Sequence, residues 1–225
     1  MRIVTTTSKT PEPEGEERGY NSFAGASVER IAAISDGVFA VAMTLLVLDI
    51  HAPAVETIHN EHDLWHGLAH LTPHLVAWLM SFMTLGIFWV GQQTQLNHLA
   101  RSNRDLTWIH LGFLLAVSMT PFSTILLAQF SIYQAALLLY WANIFLLGAL
   151  LYWSWVCALG SGLVKPDMPS HVSAAIKRRI VIAQALYAGS ALLSFVNTRW
   201  SIAAIILVQS NYALALRLPG ARRRA

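Results

Sequence analysis

Residues 30–50 constrain this chain more than any other stretch. They read Arg-Ile-Ala-Ala-Ile-Ser-Asp-Gly-Val-Phe-Ala-Val-Ala-Met-Thr-Leu-Leu-Val-Leu-Asp-Ile. A bilayer core takes about 20 mostly apolar residues in a helix, and this run is long and apolar enough to cross one. Yet Asp36 lies inside it, about 9 Å beyond Arg30 at about 1.5 Å per residue. A carboxylate at that depth demands a partner or water. Either Asp36 pins helices together or it stands close to a path for ions. Ile34, Val38, Val41, Leu45 and Leu48 recur at alternating steps of four and three, the seam of a helix that meets copies or neighbours. On pattern alone this is packing, with a pore lining as the second reading. Thr44 sits beside the seam, where its hydroxyl can bond back to the Ala40 carbonyl or face an ion.

Composition places the whole chain in a membrane. Of 225 residues, 55% are hydrophobic and 12% charged, and mean hydropathy is +0.50. Soluble domains carry about 25% charged residues. The net charge of +3 gives no reason to expect a nucleic-acid partner. A lone cysteine, Cys157, excludes an internal disulfide and a thiolate metal cluster. The polar, acidic N-terminus does not read as a cleavable signal peptide.

In chain order, residues 1–26 hold Pro11, Pro13, Gly15 and Glu12, Glu14, Glu16 and Glu17, a composition that cannot bury a core; a disordered tail is expected. The membrane domain is expected over 27–217, with helices near 28–50, 74–97, 105–128, 132–158, 174–197 and 200–216, and a basic tail at 218–225. Pro121 should kink the third helix, and Pro73 should kink the chain ahead of the second. The link at 51–72 has no Lys or Arg but holds His51, His59, His62, His66 and His70. On a helix, His62, His66 and His70 stack on one face. They form either a metal or proton-sensing patch or one side of an amphipathic segment at the membrane surface; the second reading is favoured. Arg30, Arg101, Arg104, Lys165, Lys177, Arg178, Arg179 and the C-terminal arginines fall on one side of a six-helix count, with Arg199 opposite. The positive-inside rule then predicts a multi-pass cell-membrane protein with both termini cytoplasmic.

Counted from that side, Asp36, Gln92, Gln93, His110, Gln184 and Asn211 lie at similar depth. His110 is the first candidate partner for Asp36, and Gln92 or Gln93 the next. They make either one network or separate helix-to-helix hydrogen bonds, each about 0.6 kcal/mol. Asn143, in the middle of the fourth helix, should bond a neighbouring helix. No catalytic motif is present: no Gly-x-Ser-x-Gly, no Walker loop, no His-Glu-x-x-His. There is also no Thr-Val-Gly-Tyr-Gly filter.

The pattern Arg30-x-x-x-Ile34-Ser35-Asp36-Gly-Val-Phe-Ala40-Val-Ala-x-Thr44-Leu-Leu resembles the first helix of the transmembrane-protein-175 family of potassium channels. Ile34 stands where that family usually has Phe. Further likeness runs through Gly86-Ile-Phe-Trp89, Met119-Thr-Pro121-Phe-Ser-Thr124 and Tyr140-Trp-Ala-Asn143 to Leu147-Gly148. The resemblance implies an all-α integral membrane protein of six transmembrane helices per subunit, with four subunits around a central pore lined by helix 1. It puts the narrow point at Val41, with Thr44, Leu45 and Leu48 further along the lining, and gives Arg30, Ser35 and Asp36 a bracing role. Val41 is smaller than the Ile or Leu common there, so weaker selection is expected. Two His often follow the second-helix Trp in that family; Gln92 and Gln93 take those places here. The expected permeants are potassium and other monovalent cations, with no cofactor and no enzymatic activity. The alternatives are a proton-conducting channel, a proton-coupled secondary transporter using Asp36 and His110 as a relay, or a structural membrane subunit. Against the transporter, no internal repeat is visible.

Overall fold

The computed structural model describes residues 27–213; the two expected tails and Arg217 lie outside them. Helix α1, Val28–Leu45, starts where Ser27 Oγ accepts from the Arg30 amide at 3.3 Å, an ordinary N-cap. It tightens into a 3-10 turn at Leu46–Asp49. Helix α2, Glu61–His70, is capped by Asn60, and α3 spans Thr72–Leu96. Pro73 does not kink a continuing helix. It sits in the first turn of α3, where a missing N–H costs nothing and the fixed φ suits a helix start.

Helix α4, Arg104–Ser118, is capped by Asn103, and α5, Thr120–Gln129, again carries its proline in the first turn. The interruption near Pro121 is a single turn residue, Met119, which keeps helical φ/ψ between α4 and α5. Hydroxyls cover the carbonyls near it: Ser123 Oγ and Thr124 Oγ1 donate to Thr120 O at 3.0 and 2.8 Å. Helix α6 spans Gln134–Gly160, α7 Ser170–Leu192 with a 3-10 turn at Leu193–Phe195, and α8 Thr198–Ala213.

The α6 C-terminus shows why the chain turns where it does. The Gly162 amide donates to Leu159 O at 3.2 Å and the Leu163 amide to Ala158 O at 3.0 Å. Gly162 has φ +62°, the left-handed position of a Schellman cap, which glycine occupies without strain. The turn then clasps the α3–α4 link. Ala100 N donates to Leu163 O at 2.9 Å, Lys165 N to His98 O at 3.0 Å, and Lys165 Nζ to Asn97 O at 2.8 Å. Ile31, Leu96, Leu106, Trp155 and Leu163 pack beneath this clasp. It closes the end of the bundle where α1 begins.

Four segments are long and apolar enough to cross a bilayer: Val28–Asp49, Thr72–Leu96, Arg104–Gln129 and Gln134–Gly160. Helix α7 carries Lys177, Arg178 and Arg179 in its first half, and α8 has 16 described residues. These two pack on each other, α7 against α6 and α8 against α3, and complete an all-helical membrane bundle. In the centre, Phe39 of α1, Phe88 of α3 and Phe113 of α4 meet with ring centroids 6.0 and 6.3 Å apart. Lipid tails are as apolar as leucine, so contact and hydrogen bonding rather than hydrophobic burial hold such helices together.

Candidate ion pathway and its brace

Helix α1 presents two unlike faces. Ile31, Ser35, Phe39 and Ala42 are buried, and Leu46 follows them at 2% exposure. Steps of three and four put these on one side, against α3, α4 and α5. On the other side Val41 is 57% exposed and Leu48 66%, with Ile34 and Leu45 also exposed. Thr44 lies on this side too; its hydroxyl bonds back to Ala40 O at 3.0 Å and Val41 O at 2.8 Å, as its place in the sequence suggested. Val38, the remaining member of the seam, is half-buried: it packs at the edge of the core and also lines the groove on the outer face. An open apolar groove of about 450 Å³ runs along this face, walled by Ile34, Gly37, Val41, Leu45 and Ser118.

Helix α3 holds α1 through two adjacent residues, buried Ser35 and exposed Asp36. Ser35 Oγ donates to Ile31 O at 2.7 Å and accepts from Gln92 Nε2 at 3.0 Å. The same Gln92 nitrogen lies 3.3 Å from His110 Nδ1 on α4. An amide nitrogen has no lone pair to offer, so Nδ1 accepts and the imidazole proton resides on Nε2. Beside Ser35, Asp36 Oδ1 accepts from Gln93 Nε2, next to Gln92, and from Trp89 Nε1, one turn earlier in α3, both at 2.8 Å. Positions 89, 92 and 93 share one face of α3, which thus grips Ser35 and Asp36 side by side.

The partner first expected for Asp36 was His110. It is instead Gln93, the next choice, together with Trp89, which the comparison of depths does not include. The signal was its spacing of three and four from the two glutamines. Gln184 and Asn211 do not join the brace. Gln184 Nε2 donates to Ile144 O on α6 at 3.3 Å, its side chain lying where a Cβ on Gly148 would stand, and Asn211 is exposed. Arg30 is exposed at the end of α1. Asn143 does reach a neighbour, donating to Thr120 Oγ1 at 3.0 Å.

A second buried polar knot escaped the sequence reading. Gln209 Nε2 of α8 donates to Thr84 Oγ1 at 2.7 Å, Thr84 pairs with Tyr140 OH at 3.2 Å, and Thr124 Oγ1 donates to Ser81 Oγ at 2.6 Å. All of these side chains are buried, and the knot ties α3, α5, α6 and α8 together. Among the outer histidines, the His62 and His66 rings stand 4.6 Å apart. Among the described residues no group of three or more His, Cys, Asp or Glu could hold a metal ion, so His62, His66 and His70 are not gathered into a site. Leu64, Trp65 and Leu68 on the other side of α2 are exposed, giving that helix an apolar face.

The sequence model for the family described as "Endosomal/lysosomal potassium channel TMEM175" matches residues 30–121, the segment that contains α1 and every member of its brace. A crystal structure described as a lysosomal potassium-selective channel TMEM175 homolog from Chamaesiphon minutus superposes with a TM-score of 0.73. It is 28% identical, over 84% of this chain and 97% of that one. These matches support the TMEM175 family for this chain. A relative named a potassium channel in Streptomyces collinus is 31% identical over 157 residues, 70% of this chain and 59% of its own length. A relative from Bos taurus, named the endosomal/lysosomal proton channel TMEM175, is 33% identical over 85 residues, 36% of this chain and 18% of its own length. The chain thus spans under two thirds of the length of these curated relatives. TMEM175 is a channel family and not an enzyme family, and in this chain Gln92, Gln93 and Trp89 grip the first-helix Ser-Asp pair.

Proposed function

We propose that this chain is one subunit of a potassium-permeable cation channel, that four copies surround an axis, and that the exposed face of α1 lines the path. The observation that carries this reading is the division of α1. A helix braced by hydrogen bonds on one side leaves Val41, Thr44, Leu45 and Leu48 exposed on the other. In four-fold array Val41 forms the narrow ring, and Thr44, Leu45 and Leu48 continue the wall. Such a ring bars an ion that cannot shed or keep its water, and it gates by wetting and drying. Relatives named potassium channels support potassium as the permeant. The basic residues at the end where α1 begins support a cell-membrane placement with both termini cytoplasmic.

Purified protein in liposomes, loaded for potassium, sodium or proton flux in turn, tests the reading. Potassium flux above sodium flux is expected; flux of protons alone, or no flux, overturns it. Proton permeation is the second reading, favoured by the relatives named proton channels. A transporter relay from Asp36 to His110 is not favoured, because the two side chains sit in separate hydrogen-bond sets.

A further inference from the structure

At the end of the bundle away from the clasp, a cavity of about 750 Å³ opens between the start of α3, the α5–α6 turn and the α7–α8 turn. Its size lies within the roughly 300–1,000 Å³ of small-molecule sites. The floor is apolar, built from Ala77, Met80, Leu127 and Ile202, and the rim is polar, with Gln134, Ser194 and Arg199. Gln134 Nε2 reaches Ser194 Oγ at 3.5 Å across two walls. No Asp or Glu lines the cavity among the described residues, so Arg199 gives the rim a positive charge that its lining leaves unbalanced.

The surroundings fix the depth. Phe130, Tyr133, Phe195 and Trp200 flank the rim residues in sequence, and all four are exposed. Tyr and Trp gather at the level of lipid headgroups, so Tyr133 and Trp200 put the rim at that level and the floor in the acyl region. A soluble anion would find no use for the apolar floor, and a neutral lipid none for the arginine. Guanidinium pairs with phosphate through two parallel N–H···O bonds.

We propose that this cavity holds an anionic phospholipid of the adjoining leaflet, its phosphate at Arg199 and an acyl chain along Met80, Leu127 and Ile202. The proposal rests on the membrane placement and not on which ion the channel passes.

The test is native mass spectrometry of the detergent-purified full chain after exchange into phosphatidylglycerol or phosphatidylcholine. Wild type should retain phosphatidylglycerol, and Arg199→Gln should weaken retention about tenfold, as loss of a charged hydrogen-bond partner implies. Arg199→Lys should fall between, and all three should elute as the same assembly. Phosphatidylcholine held as firmly as phosphatidylglycerol overturns the charge argument. Displacement of the lipid by inorganic phosphate alone overturns the acyl contribution. Unchanged retention in Arg199→Gln overturns the site.

Discussion

Along the inner face of α1 nearly every turn has a partner: Ser35 meets Gln92, Asp36 at the margin meets Trp89 and Gln93, and Phe39 meets Phe113. Along the outer face Val41, Leu45 and Leu48 are exposed. Both faces are largely apolar, so hydropathy does not separate them. What separates them is where the polar side chains of α3 reach. A helix gripped on one side by hydrogen bonds cannot rotate to hide the other, and on the proposed reading the grip decides which residues an ion would meet.

The largest effects should come from the inner face. Phe39→Ala removes a ring that is 2% exposed and should cost about 3–5 kcal/mol, seen as loss of the assembled peak in size-exclusion chromatography. Val41→Ala, two residues on but outward-facing, should change thermal stability by no more than about 0.5 kcal/mol. Equal losses would erase the distinction between the faces.

The brace comes next. Asp36→Leu leaves two donors, Trp89 Nε1 and Gln93 Nε2, without this acceptor; both bonds are exposed, so each loss should cost about 0.5–1.5 kcal/mol. Asp36→Asn keeps an acceptor oxygen and should be milder. A double-mutant cycle of Asp36→Leu with Trp89→Phe should show coupling of about 0.5–3 kcal/mol; strict additivity would mean the 2.8 Å contact holds nothing.

How far the sequence revealed this is clearest at particular positions. The all-helical membrane fold followed from apolar runs about 20 residues long, and the breaks fell near Pro73 and Pro121 because proline marks helix starts. The Ser35–Asp36 motif was equally visible, since a carboxylate so deep is hard to miss. Its partner was not: residues on different helices carry no shared periodicity, and counting depth put His110 first and Gln92 or Gln93 only next. Depth says which residues lie in one slab but not which way each faces, so Gln184 and Asn211 were included and Trp89 left out. The Thr84–Tyr140–Gln209 knot was illegible for the same reason, as hydroxyls in membrane helices usually bond their own backbone.

Smaller effects sharpen the comparison further. Thr44→Val removes only a bond to the helix's own carbonyls, so stability should hold while discrimination of potassium from sodium falls. A reversal potential unchanged in mixed ions would place Thr44 off the lining. Smallest of all, replacing His62, His66 and His70 together by Gln should leave basal potassium flux near wild type, since α2 stands apart from both faces of α1; abolished flux at neutral pH would give those histidines a part in permeation.

The most direct measurement is single-channel recording of Val41→Asn beside Val41→Phe in mixed potassium and sodium. If the outer face lines the path, Asn should raise conductance and bring the reversal potential toward the unselective value, because a polar ring lowers the dehydration barrier for every small cation. Phe should close the pore with the assembly intact. The same changes at Leu46, buried on the opposite face, should leave any surviving channel with wild-type conductance and selectivity. Conductance and reversal potential unchanged in Val41→Asn, and an open pore in Val41→Phe, would show that ions pass elsewhere.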